Sequence, residues 1–472
     1  MALYCDRRSW LQQAGMGLGM LGLGGLLEAD TVPLTRESRR ESLPHHRPQA
    51  KHVIHIFFNG GASHLDTFDP KPLLSKYHGQ HLPVRSPETE NMTGHAFGSP
   101  FKFQQYGQSG IEVSELFPHV GRMIDEVCVI RSMHTDSVTH APSLMMMNSG
   151  TLTQSTPAMG SWVTYGLGTE NRSLPGFVVL CPRGLPVAGP NNWRSAFLPA
   201  VYQGTLVDTA TRDIERLIAN IRNRQIGTRQ QRRQLDLLQQ LNAQHRERRG
   251  EDDALTARIK SYELAFRMQS AASDAFDISK EPAYIQRMYG DSTNARQILI
   301  ARRLVERGVR FVQIWHGKDQ PWDNHNDLEK EHRFRARECD QAIGALLADL
   351  KQRGLLDETL VFFCGEFGRT PTAQLSDSGK STRGRDHNPY AFTCCLAGGG
   401  VRGGMVYGAS DEFGYAAVED RVHVHDLHAT ILHQLGIDHK RFTYRHAGRD
   451  YRLTDVDGHV LRKILTSGTA DA

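Results

Sequence analysis

Apolar residues along this chain follow two alternating patterns. Short unbroken runs, Val53 to Phe58 (VIHIFF), Val127 to Arg131 (VCVIR), Phe177 to Cys181 (FVVLC), Val309 to Trp315 (VRFVQIW), Leu360 to Cys364 (LVFFC) and Ala391 to Leu396, read as strands buried on both faces. Between them, Ala295 to Arg307 and Glu331 to Arg353 space their apolar residues as helices do, the second through Ile343, Leu346, Leu347 and Leu350. Each stops at a glycine, Gly308 or Gly354. The alternation predicts an α/β fold, a mostly parallel sheet sandwiched by helices. In that architecture ligands gather beyond the carboxyl ends of the strands.

Residues 209–290 break the rhythm and predict a helical insertion. Arg212 to Arg249 holds ten arginines against four acids, with Leu235, Leu238 and Leu241 at helical spacing. After Gly250-Glu251-Asp252-Asp253 a second helix runs through Tyr262 and Phe266. A solvated helical face accounts for this charge; a basic surface for an anionic polymer is the alternative.

Residues 1–29 differ again. Arg7 and Arg8 precede Trp10-Leu11 and a run rich in Gly, Leu and Met from Ala14 to Leu27, the pattern of a twin-arginine export signal. The run is shorter than the roughly 20 residues that cross a bilayer, so no stable transmembrane span is expected unless the signal stays uncleaved. Leu27-Glu28-Ala29 is a poor cleavage site, which leaves that point open. The expected partner is the twin-arginine export machinery, and the expected location is periplasmic or secreted. Residues 30–51, polar and proline-containing, read as a linker into one domain over 52–465.

Composition narrows the classes. With 39% hydrophobic and 23% charged residues in 472, the chain suits a large soluble domain with an insertion. Fifty-six basic side chains nearly balance 52 acidic ones, so no nucleic-acid partner is expected. Seven cysteines without a CxxC pair suggest small buried side chains, neither a disulfide framework nor a zinc ribbon.

Four polar clusters follow or flank these strands. The first, FFNGGASHLDTFDPK, holds Asn59, His64, Asp66 and Asp69 beside a Gly60-Gly61 turn. PWDNHNDLEKEH offers Asp323, His325, Asp327 and His332; an Asp and His two apart suit zinc, manganese or iron better than calcium. A capping Asp with an exposed His explains that string equally simply, and Asp327 and His332 fit the polar opening of the next helix. CGEFGRTPT places Glu366, a candidate metal ligand, near Arg369, whose guanidinium can grip an oxyanion. In GRDHNPYAF, Asp386 and His387 precede the last apolar run. No phosphate loop, GxSxG or HExxH occurs.

The segments GGASHLDTFDPK, SMHTDSVTHAPSLMMMNSG, MGSWVTYGLGTENRSLPGFVVL, QLDLLQQLN, SYELAFRMQ, WDNH, GEFGRTP and GRDHNP, taken together, resemble the secreted planctomycete-type proteins of the domain-of-unknown-function family numbered 1501, from about His52 to Arg449. That family resembles the alkaline phosphatase and sulfatase superfamily. The resemblance implies a divalent-metal hydrolase site (zinc, manganese or calcium) acting on a sulfated or phosphorylated glycan or small ester. Carried over, it puts Asp323, His325 and His387 on one cation, Glu366 with Asn59 or Asp66 on a weaker second, and Arg369 or His140 on the oxyanion. The chain departs from the pattern at Asn59, where an Asp is usual, at Phe367, where a His is usual, and at His140, which stands at the nucleophile position. Ser137, Thr139 or Ser143 would then have to attack, or a water would. A secreted binding protein that kept the fold without catalysis is the alternative.

Overall fold

The structure, a computed structural model, describes residues 43–84, 87–153, 155–217, 225–249 and 253–466. The expected export signal and the first part of the expected linker lie outside them. Residues 45–50 are held down: the amides of His45 and His46 donate to Gly436 O, and those of Gln49 and Ala50 to Gln434 O.

The predicted strands form β1 (His52–Phe57), β2 (Val127–His134), β3 (Phe177–Cys181), β5 (Phe311–Trp315), β6 (Thr359–Cys364) and β9 (Phe392–Ala397), with β4 (Thr205–Asp208), β10 (Met405–Tyr407) and β11 (Val422–His423) added. The sheet runs β10-β2-β9-β6-β1-β5-β3-β4, with β11 also on β2. From β6 to β4 every pairing is parallel, while β9 runs against both β6 and β2. Strand residues alternate between two cores. Ile54 and Ile56 pack with helices Thr293–Glu306 and Leu328–Gln352, through Ile298, Ile343 and Leu346. Val53 and Phe57 face helices His140–Ser149, Met159–Leu167 and Val424–Gln434, through Leu144, Trp162 and Ile431. The result is the helix–sheet–helix sandwich that continuous apolar strands require.

His55 points into the second core, stacks on Phe362 at 4.0 Å, and has no partner for either ring nitrogen. The basic segment forms helices Thr228–Arg249 and Asp253–Ala275; Arg232 bridges them by a two-pronged pair with Glu263 at 2.7 and 2.8 Å. All six described cysteines are buried and unpaired, and no described helix is long and apolar enough to cross a membrane.

One element was not expected. Gly368–Leu375 (β7) and Ser381–Asn388 (β8) pair as an antiparallel hairpin, with Thr93–Ala96 along β7. Its buried half contains Arg369, Arg385, Asp386 and His387, so no apolar alternation announces it. The register sets Arg369 opposite His387.

Candidate metal centre

Because β9 runs against its neighbours, its amino end lies at the edge where β1, β5 and β6 end. Three chain segments therefore meet there. The turn after β5 brings Asp323 and His325, β8 brings His387 just before β9, and the first turn of the helix His140–Ser149 brings His140. Gly60, at φ +105°, makes the approach feasible: a β-carbon on it would stand 2.6 Å from the amide of Asp323.

Ligand atoms of His140, Asp323, His325 and His387 all lie within 4.8 Å of one another. The Nε2 atoms of His140, His325 and His387 stand 3.3, 2.8 and 3.2 Å from Asp323 Oδ1. Asp323 and His325 keep about a fifth of their side-chain surface open, so solvent reaches the cluster.

The other ring nitrogens fix what faces inward. His140 Nδ1 lies 2.6 Å from Glu366 Oε1, His387 Nδ1 lies 2.8 Å from Val138 O, and His325 Nδ1 meets the amide oxygen of Gln374. Each partner only accepts, so each Nδ1 carries the proton and each Nε2 presents a lone pair. Three lone pairs then converge on a carboxylate oxygen, an arrangement that needs positive charge at its centre. Arg369 Nη2, 2.7 Å from Asp323 Oδ1, supplies one cation from the side. Buried His140 Nε2 has no hydrogen-bond partner at all. Tetrahedral zinc ligands stand about 3.3 Å apart, with outer partners orienting each imidazole in this way, so the donor set fits a divalent ion.

Without a metal, the same rings can instead turn a proton toward Asp323. Burial opposes the charge of Asp323, yet the three imidazoles and Arg369 hold its carboxyl far below the ordinary range. Burial also lowers the pKa of His140, but the neighbouring Asp323 and Glu366 carboxylates outweigh it and raise the ring. For His387, burial and Arg369 win, and its pKa falls.

The remaining expected site residues lie around the quartet, engaged elsewhere. Glu366 is fully buried, accepts from the amides of Gly60 and Gly61 at 3.0–3.2 Å, and orients His140. Asn59 binds Gly317 O and Asp319 O at 3.0 and 2.7 Å and takes the amide of His316 at 3.1 Å. Asp66 forms a closed pair with Arg385 at 2.7 and 3.2 Å, capped by Ser63 Oγ at 2.5 Å. Glu366, Asn59 and Asp66 thus form no second ligand group among the described residues.

Arg369, fully buried, spends four of its five N–H donors on Gly60 O, Gly61 O, Arg385 O and Asp323, which holds it as a brace of the site. Ser137 Oγ pairs with Thr139 Oγ1 at 3.2 Å, and Ser143 donates to Ser137 O. His332, expected to be wet, is buried and clamps two loops: Nδ1 meets Asn324 Oδ1 at 2.7 Å, and Nε2 accepts the amide of Ser63 at 3.0 Å. His140 was expected at the oxyanion; its place in the ligand group depends on Glu366, 226 residues away, a pairing no local spacing reveals.

Among solved structures, the PsFucS1 sulfatase from Pseudoalteromonas sp. is similar at 12% identity over 82% of this chain and 68% of that one, with a TM-score of 0.33. The phosphonate monoester hydrolase SpPMH from Silicibacter pomeroyi is also 12% identical, over 75% and 72%, with a TM-score of 0.32. The TAB5 alkaline phosphatase, in a variant with Mg bound, reaches 12% over 76% and 94%, with a TM-score of 0.30. These are loose likenesses, and the chemistry here rests on this chain's own residues. No curated protein matches the chain in sequence. Residues 50–465 match the family described as "Protein of unknown function (DUF1501)", and the chain belongs to that family.

Proposed function

We propose that this is an exported, metal-dependent hydrolase-like protein acting on sulfate or phosphate esters, on a glycan or a smaller ester. One observation carries the reading: three imidazole lone pairs and a carboxylate oxygen converge on one partly open point. His140, Asp323, His325 and His387 would hold the ion, and three nitrogens with one oxygen favour zinc, manganese or iron over calcium. A divalent ion there supplies Lewis acidity toward an ester oxygen and toward water.

The chain's own groups set the rest. His140 takes the place where a sulfatase-type nucleophile would begin, and its orientation by Glu366 dedicates it to the centre. Ser137, Thr139 and Ser143 bond to one another's atoms, so a water nucleophile fits better than a side-chain oxygen. The three imidazoles, with Arg369 beside them, keep Asp323 ionised. Export rests on the Arg7-Arg8 leader.

A second reading, a secreted binding protein without catalysis, is favoured by Phe367. Its ring packs 4.8 Å from that of His140 and 4.5 Å from that of His387, where the superfamily pattern has an imidazole.

Metal content separates the readings. Purified wild type should carry one divalent ion per chain, and Asp323→Ala and His387→Ala should lose it; wild type without stoichiometric metal sinks the centre. Turnover of aryl sulfates or phosphates that vanishes in both variants supports hydrolysis. Full metal without turnover on any of them supports the binding protein.

A further inference from the structure

At the opposite edge of the sheet, before β1 begins, the strapped segment 45–50 crosses the end of the helix Val424–Gln434 and a turn at 458–462. Six strand residues at about 3.3 Å each put this edge roughly 20 Å from the metal cluster. A cavity of about 670 Å³ opens between these segments, the size of a small-ligand pocket.

Cationic side chains outnumber carboxylates in its walls. Arg47, Lys440 and Arg462 face it, and no carboxylate lies within ion-pair distance of any of them among the described residues. His46, His433, His439 and His459 add imidazoles, with His46 packed 4.4 Å from His433. Asp438 is the one carboxylate in the lining, and its Oδ1 already accepts the amides of Lys440 and Arg441 at 2.8 and 3.4 Å. Asp426, just outside, engages His459 at 3.4 Å.

Gln434, fully buried behind these side chains, donates its amide nitrogen to Gly399 O at 2.6 Å and supports the wall from within. His433 reports the field: burial, then His46 and Arg462, push its pKa down to about 4.

We propose that this cavity is a second, non-catalytic site for a phosphorylated or sulfated sugar. Arg47, Lys440 and Arg462, all exposed at the cavity wall, neutralise the oxyanion. The volume exceeds what a bare oxyanion fills, which leaves room for the ring that carries it.

Calorimetric titration of the full chain with glucose 6-phosphate, glucose 6-sulfate, glucose, and inorganic phosphate and sulfate tests this. At least one sugar ester should bind saturably, more tightly than glucose or either inorganic ion. Arg47→Ala and Arg462→Ala, both at exposed positions, should each weaken it about tenfold without changing the metal content. Binding should persist in His387→Ala, which separates this site from the metal centre. No saturable binding of either ester, or unchanged affinity in both arginine variants, overturns the site. Inorganic ions binding as tightly as the esters overturn the sugar.

Discussion

Two buried polar clusters sit side by side beneath the β7–β8 hairpin, and they differ in one respect. Around Asp66, charge and hydrogen bonds close: Arg385 gives two donors, Ser63 a third, and Arg385 also donates to Thr370 O at 3.1 Å. Around Asp323, acceptors outnumber donors, with three lone pairs turned toward a carboxylate and only Arg369 answering them. A buried ion pair complete in itself is architecture. A buried set of acceptors facing one another is a binding site, because only an added cation completes it.

The largest expected effect is on the closed cluster. Asp66→Ala strands Arg385 in the core and should cost about 3–5 kcal/mol, with or without metal. Urea unfolding measures it; a loss under about 1 kcal/mol would mean that the pair is not closed. Glu366→Gln acts on the open cluster instead. Losing the orienting carboxylate of His140 should weaken metal affinity about 10–100-fold, read by competition with a chelator. Unchanged affinity would remove Glu366 from the centre.

The smallest effect is on pH dependence, far from both clusters. His55 and His428 are buried and neutral, their pKa values pushed down by burial, that of His428 to about 3 from 6.5. Unfolding lets them take up protons below pH 6.5, so their neutral burial favours the fold above that pH and costs stability as pH falls toward 3. Each imidazole contributes at most about 1.4 kcal/mol per pH unit. Between pH 7 and 5 the urea midpoint should fall, and His428→Gln should flatten the slope; identical slopes would contradict the assignment.

The sheet was legible because continuous apolar runs leave a strand little choice but burial on both faces. Strand ends then marked where Asp323, His325 and His387 would meet. The hairpin was not legible, since hydrogen bonds rather than apolar side chains satisfy its buried Arg369 and Arg385. Nor were the roles of Glu366 and Asn59, which backbone groups of Gly60, Gly61, Gly317 and Asp319 determine. Residue types were visible at these positions, but main-chain direction was not.

Arg369 has a consequence for how the chain folds. Its guanidinium reaches Gly61 O across 308 residues of sequence, and it also holds Asp323 and Arg385. The pairing of β1 with β6 closes a loop of the same length, so this contact and the central sheet depend on the same chain closure. The ligand quartet is therefore a product of the whole fold and of no local segment. A leader of the twin-arginine kind, which hands over proteins already folded, would match that dependence.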